Sequence, residues 1–380
     1  MERVVIRDAL NLVTALFQQG RHAEAEPLLR RARVMDERDA DAAYQLGNVL
    51  IALGRTREAV QQYRDACARR ADFAPALNNL GNALRDLGEL HQALGAYQAA
   101  IRARPDAATP INNAGYLLHT LHRLEEAEAM LRHGIAVAPA YGTLRLNLGN
   151  VLKDGGDLDG AVEQYRAAVT LDPNNPVAHS NLVYALSFQS FDGACVLSEA
   201  RRWNERWTPT VAGPRAPAPR AREPVRRLRI GYVSADFRDH CQALFLMPLL
   251  SNHDHGDFEI FCYSNVRRPD DFTRMIAAHA DSWHEVQQLD DGALASLIRA
   301  DGIDVLVDLT MHMAGGRPLA FARKPARVQV AWLAYPGTTG LDAMDYRLSD
   351  PRLDPPGHEA QYSERTVMLP DSFWCYAPLT

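Results

Sequence analysis

The triplet Leu46-Gly47-Asn48 returns as Leu80-Gly81-Asn82 and as Leu148-Gly149-Asn150 at an interval of 34 residues, and between them Ala114-Gly115 of Asn113-Ala114-Gly115 keep the register. No other property restricts the fold as strongly. A unit this short cannot bury an apolar face alone, so it must stack on copies of itself. Four more columns keep the interval: Gly20, Gly54, Gly88, His122 and Gly156; Ala25, Ala59, Ala93, Ala127 and Ala161; Tyr63, Tyr97, Leu131 and Tyr165; and Pro105, Pro139 and Pro173. Each suits one place in a helix–turn–helix unit. The Gly of the triplet leaves room where two helices cross. The Gly20 column ends a first helix, where glycine adopts a left-handed conformation freely. The alanines let the second helix come close, and the Tyr/Leu column fills the groove between neighbouring repeats. The prolines stop one unit and start the next.

This is the pattern of tetratricopeptide (TPR) repeats, and it runs over residues 3–190 with an irregular last unit. Such repeats stack into a superhelix whose concave surface takes a peptide or partner protein. A polar column, Asn11, Gln45, Asn79, Asn113, Asn147 and Asn181, occupies one position on each first helix. A side-chain amide both donates and accepts, so such a ladder can hold an extended backbone without reading its sequence. The same amides can instead bond locally from repeat to repeat.

After a further helix over Phe191–Trp207, residues 208–226 turn rich in Pro, Ala and Arg, and residues 191–226 read as a helix and connector. From residue 227 to 380 the periodicity is different. Leu228–Ser234, Phe258–Tyr263, Asp304–Leu309 and Val328–Leu333 are short apolar runs that read as buried strands, with helical patterns between them over Phe272–Ala280 and Gly292–Ala300. That alternation predicts a parallel, Rossmann-like sheet covered on both faces, with ligands beyond the carboxyl ends of its strands.

The candidate chemistry sits at those ends. His240 follows the first strand, and an imidazole there is a natural proton acceptor near neutral pH. Asp308 closes a later strand with His312 four residues on, so both can face one cleft. Tyr335, Pro336, Gly337, Thr338 and Thr339 form a tight loop, rich in Gly and hydroxyls, that can meet a ligand by its backbone. His253-Asp254-His255 has poor spacing for a metal and reads as an exposed loop. The five cysteines are scattered without CxxC spacing, which predicts free thiols. Neither a GxGxxG turn nor a P-loop is present. A net charge of −6 argues against general nucleic-acid binding. The longest apolar stretch, Cys241–Leu250, is half of the roughly 20 residues a bilayer requires, so a cytoplasmic protein without membrane contact is expected.

Taken together, the repeats followed by LRIGYVSADFRDH, DVLVDLTMHMAGGR and VQVAWLAYPGTTGLDAMDYRLSDP resemble the O-linked N-acetylglucosamine transferase family in its bacterial branch. The YPGTTG-to-DYRLSD segment and the later Tyr362–Pro370 stretch carry the resemblance most specifically. It implies an α-solenoid followed by the N-terminal lobe of a two-lobed GT-B glycosyltransferase. It also implies inverting transfer of GlcNAc from UDP-GlcNAc to Ser or Thr of proteins brought by the repeats, with no cofactor and no metal. In that scheme His240, Asp308 and His312 match the active-site residues, and Asn79, Asn113, Asn147 and Asn181 hold the acceptor peptide.

The chain departs from the family pattern at four cleft positions. Cys241 and Leu244 stand where Pro and a second His are common, Met311 where Gly is usual, and Gly316 where a polar residue is common. Its 380 residues stop where the family continues into a second lobe carrying the nucleotide-sugar site and its lysine; Lys153 and Lys324, the only lysines, do not match that position. The expectation is that this chain by itself is inactive and binds a nucleotide sugar only with the second lobe supplied. Two rivals follow: a non-catalytic TPR adaptor with a degenerate lobe, and a related protein O-fucosyltransferase using GDP-fucose.

Overall fold

The computed structural model describes residues 12–13, 15–36, 38–189, 192–211 and 226–376. Asn11 of the polar column and residues 212–225 of the expected connector lie outside them. The chain divides into two compact units, Met1–Asp172 and Pro173–Thr380. The 34-residue pattern runs on to 190, but compactness groups its last helix with the second unit. Among the described residues no helix is long and apolar enough to cross a membrane.

The first unit is a stack of antiparallel helix pairs. After α1 (His22–Met35) come α2 (Ala40–Ala52) with α3 (Thr56–Arg69), α4 (Ala74–Asp86) with α5 (Leu90–Ala103), α6 (Ala108–Thr120) with α7 (Leu124–Val137), and α8 (Gly142–Asp154) with α9 (Leu158–Leu171). The glycine column ends the first helix of each pair: Gly54, Gly88 and Gly156 take φ of 74°, 81° and 89°, and His122 takes the same left-handed turn at 56°. The next amide then reaches back to the carbonyl five residues earlier, Arg55 to Leu50 at 2.8 Å and Glu89 to Leu84, Arg123 to Leu118 and Asp157 to Leu152 at 2.9 Å. These bonds satisfy carbonyls that a helix end otherwise leaves open. All five alanines of the Ala25 column are fully buried.

The tyrosine column acts within its own repeat rather than only between repeats. A Cβ built on Gly47 would meet the Tyr63 ring at 2.5 Å, and one on Gly149 the Tyr165 ring at 2.6 Å, so each glycine is the seat of its own repeat's ring. The hydroxyls of Tyr63 and Tyr97 donate to the side-chain carbonyls of Asn48 and Asn82 at 2.8 Å, and that of Tyr165 to Asn150 at 2.9 Å.

The second unit opens with α10 (Pro176–Gln189) and α11 (Gly193–Trp207), followed by a seven-stranded sheet. Its strands are β1 (Leu228–Ser234), β2 (Phe258–Ser264), β3 (Ser282–Glu285), β4 (Val305–Asp308), β5 (Val328–Ala331), β6 (Tyr346–Ser349) and β7 (Arg365–Met368). All neighbours pair in parallel in the order β3-β2-β1-β4-β5-β6-β7. Between them lie α12 (Ala243–Ser251), α13 (Asp271–Ala277), α14 (Asp291–Asp301) and the short α15 (Pro318–Ala322). The four strands expected from the sequence are present; β3, β6 and β7 are additional. Neighbouring residues alternate between two cores. Val233, Phe261, Tyr263 and Leu306 pack with Trp203 of α11 and Ile298 of α14, while Tyr232, Ile260, Cys262 and Val307 pack with Leu246 of α12 and Ile276 of α13. Burial on both faces is what makes these strands read as continuous apolar runs.

Candidate functional site

The strand order reverses between β1 and β4, which pair with Val233 opposite Asp308. In an open parallel sheet the crevice outside that reversal is where ligands bind. The loops after Ser234 and Asp308 both start there and are tied together. The Ala235 N–H donates to the Thr310 hydroxyl at 3.3 Å, and the Gln242 side-chain amide donates to the Leu309 carbonyl at 2.8 Å.

His240 is the open member of the group, its side chain 26% exposed. Its Nδ1 accepts the Gln242 N–H at 3.3 Å, and its Nε2 lies 3.9 Å from the Asp236 carboxylate, which also receives Arg238 at 3.2 Å. The exposed Cys241 places its Sγ 3.8 Å from the same Nδ1.

Asp308 and His312 do not share an open cleft. The structure buries both, and this corrects the expectation drawn from their spacing. Asp308 folds back on its own loop, where Oδ1 accepts the N–H groups of Thr310 at 2.9 Å and Met311 at 2.8 Å, while Oδ2 has no hydrogen-bond partner. Burial pushes its carboxyl up to about 6, against the lowering effect of the two backbone donors and with a further rise from the Glu364 charge. His312 joins two other segments: Nδ1 accepts from the Ser180 hydroxyl of α10 at 3.2 Å, and Nε2–H donates to the Thr339 carbonyl at 2.8 Å. Trp203 of α11 meets its ring edge-on at 5.2 Å. Burial brings its pKa down to about 4, the Thr339 carbonyl opposing and His179 adding to the fall, so the ring is neutral at physiological pH. A buried polar group has to find partners: His312 finds one for each ring nitrogen, and Asp308 for one of its two oxygens.

The Tyr335–Thr339 loop turns its hydroxyls inward as well. Thr338 and Thr339 are buried, and both donate to the carboxylate of Glu364: the Thr338 hydroxyl at 2.7 Å, the Thr339 N–H at 2.6 Å, and the Thr339 hydroxyl too. Tyr335 is buried and Pro336 exposed, so Pro336 and Gly337 form the accessible tip. Just past it, Gly340 takes φ 69° with the α11 backbone at Ala200 against it, where a Cβ has no room. Glu364 organises this loop, yet its only signal in the sequence was its place in the Tyr362–Pro370 segment. Arg347 and Asp354 form a second buried pair at 2.6 Å that also went unmarked.

The loop departures have structural consequences. Met311 is buried at φ 50°, a conformation that favours glycine. A Cβ at Gly316 would collide with the Met311 carbonyl, so this loop path excludes a larger residue there. Among the described residues no group of three or more His, Cys, Asp or Glu side chains is placed to hold a metal. His253 bonds the Tyr232 hydroxyl at 2.9 Å and His255 the Asp281 carboxylate at 2.9 Å.

In the first unit, the amides of the polar column bond between consecutive repeats. Asn79 donates to Asn48 at 3.0 Å, Asn113 to Asn78 at 2.9 Å and Asn147 to Asn112 at 2.9 Å. All three remain partly exposed. Asn48, Asn79 and Asn82 line an open groove of about 370 Å³ with Phe17, Ile51 and Asp86. Asn181 lies on α10, in the second unit.

Residues 215–376 match the glycosyl transferase family 41 model, residues 149–187 a TPR repeat model, and 10–75, 44–108 and 78–132 a tetratricopeptide repeat model. A rice protein described as a probable UDP-N-acetylglucosamine–peptide N-acetylglucosaminyltransferase, SPINDLY, is 32% identical over 234 residues, 57% of this chain and 24% of that protein. The Arabidopsis protein of the same description is 35% identical over 214 residues, 55% of this chain and 23% of that one. The chain is also similar to a solved Thermobaculum terrenum O-GlcNAc transferase, a point mutant of that enzyme, at 36% identity and a TM-score of 0.73, over 80% of this chain and 58% of that one. This chain therefore spans about a quarter of each curated relative and less than two thirds of the solved one.

Proposed function

We propose that this chain, which carries tetratricopeptide repeats and a glycosyl transferase family 41 domain, serves a cytoplasmic transferase that moves GlcNAc from UDP-GlcNAc to Ser or Thr hydroxyls of proteins. The observation that carries the reading is the family 41 lobe itself, whose strand order reverses where the His240 loop begins. The names of the relatives and the likeness to a solved O-GlcNAc transferase support it.

In this reading the acceptor oxygen bonds to the anomeric carbon as the bond to the diphosphate breaks, UDP departs and the hydroxyl proton passes to a base. Of the three expected residues only His240 has the access for that step. Its Nδ1 accepts the Gln242 N–H at 3.3 Å with the Cys241 Sγ at 3.8 Å, and the Asp236 carboxylate lies 3.9 Å from Nε2, where it faces the charge of an imidazolium. The groove lined by Asn48, Asn79 and Asn82 takes an extended stretch of acceptor protein, with side-chain amide groups and the exposed edges of Phe17 and Ile51 as its contacts. The reading calls for no cofactor and no metal; the donor sugar belongs to a second lobe.

One observation favours a second reading. Asp308 and His312 are sealed by their partners, as they would be in a scaffold that has given up catalysis. The deciding experiment supplies tritiated UDP-GlcNAc or GDP-fucose, with acceptor protein, to the chain alone and joined to a family 41 second lobe. Label on Ser or Thr that His240→Ala abolishes supports the transferase, and the donor used names the sugar. Absence of label from either donor in the joined protein leaves the scaffold.

A further inference from the structure

We propose that His312 is a positioning residue that pins the Tyr335–Gly340 loop to α10, so that one imidazole couples the helical hairpin α10–α11 to the crevice loops. As far as transfer is concerned, the inference rests on the function proposed above. His312 sits at the end of the segment that starts from Asp308, and it is completely enclosed. Each ring nitrogen has one partner, and the partners lie in different elements: the Ser180 hydroxyl on α10 at 3.2 Å and the Thr339 carbonyl at 2.8 Å. The Thr339 carbonyl requires the proton on Nε2, and in the neutral ring that burial favours, Nδ1 is then the acceptor for the Ser180 hydroxyl.

The same residue, Thr339, is held from its other side by Glu364, which takes its N–H at 2.6 Å and its hydroxyl. Trp203 closes the space beside the ring at 5.2 Å. The chain of contacts thus runs from α10 through His312 to Thr339 and Glu364 without passing through solvent. A group so placed has neither the access nor the free nitrogen to relay a proton from a substrate. What it fixes is the position of Pro336 and Gly337, the accessible tip of the loop. The charged and titratable groups facing this assembly are His179 on α10, with its carboxylate partner Glu199 at 2.9 Å, Asp308 on its own loop, Glu364 behind Thr339 and the buried Tyr335 of the loop itself.

The test separates pinning from proton transfer. Amide hydrogen exchange is measured on the full chain with His312→Phe, which keeps a ring but loses both bonds, and with His312→Gln, which can still donate and accept. Exchange in residues 337–341 is expected to rise about tenfold in the Phe variant and to return near the original rate in the Gln variant, while β2 stays protected in both. Should His312→Phe fail to fold, Ser180→Ala removes one of the two bonds and is read in the same way. Unchanged exchange at 337–341 in the variant that folds overturns the inference, as does nitrogen NMR showing the His312 ring gaining a proton between about pH 8 and pH 5.5. In the transfer assay His312→Gln should keep kcat and the pH profile while His312→Phe loses kcat. If the protein joined to the second lobe shows no transfer before any substitution, the proposed function fails and the exchange result still decides this inference.

Discussion

Asp308 accepts the backbone N–H of Met311 at 2.8 Å and thereby holds a buried, non-glycine residue at φ 50°. The left-handed conformation costs an L-residue about 1–2 kcal/mol. Met311→Ala loses the buried side chain and keeps the strain, whereas Met311→Gly loses the side chain and relieves it. Both variants should be less stable than the parent by a few kcal/mol, since losing a buried Met side chain costs about 2–5 kcal/mol. Met311→Gly should nonetheless be the more stable of the two by about 1 kcal/mol, the reverse of the usual order. Urea midpoints of the second unit's transition test this; an Ala variant as stable as the Gly variant contradicts it.

The carboxyl of Asp308, raised to about 6 by burial, makes stability depend on pH. A raised folded-state value means the stabilising proton is fully bound below the unfolded value, and its contribution is lost as pH climbs through about 6. Asp308→Asn keeps an acceptor for the Thr310 and Met311 amides and removes the ionisation. Its stability relative to the parent should improve by up to about 3 kcal/mol on going from about pH 4 to pH 7. His312 acts with the opposite sign in part of that window but is common to both proteins. Denaturation curves across the range giving a flat difference would contradict the prediction.

His122 is an exposed residue at φ 56° in a column whose other members are glycines. Its substitution by Gly should stabilise the first unit by about 1 kcal/mol, which His122→Ala should not do. Gly95 makes the complementary case. It lies exposed inside α5 with nothing near its Cβ position, so Gly95→Ala should stabilise by about 0.5–1 kcal/mol. Melting temperatures of the single variants and the pair check both, and a fall in either case counts against the backbone assignment.

Gly47 carries the Tyr63 ring 2.5 Å from where a Cβ would stand. Gly47→Ala forces that buried ring aside and strains its 2.8 Å bond to Asn48, so a loss of about 1–3 kcal/mol is expected. Adding Tyr63→Leu should recover part of the loss, because the smaller side chain clears the new methyl. A double variant no better than the sum of the two singles would show that ring and glycine are not coupled.

Much of the fold was legible in the amino-acid order. The 34-residue columns mark helices, turns and contacts that recur over short separations, so each unit repeats the same local evidence. The strands β1, β2, β4 and β5 stand out because burial on both faces makes them mostly apolar. The other three strands are less buried, β3 only in part, β6 at alternate residues and β7 hardly at all, so their composition carries little signal. At the site, the positions of His240 and Asp308 at strand ends follow from the strand pattern, but which groups they meet does not.

The sequence alone determined a stack of helical repeats followed by a parallel sheet, because both rest on periodicities that neighbouring residues impose on one another. Only the tertiary structure decided which polar groups stay open to a substrate. Ser180 lies 132 residues from His312, and Glu364 lies 25 residues from Thr339, yet these contacts close the imidazole and the loop hydroxyls while His240 stays accessible. Burial is set by whatever the fold packs on top of a side chain, and residue spacing within one segment carries no record of it.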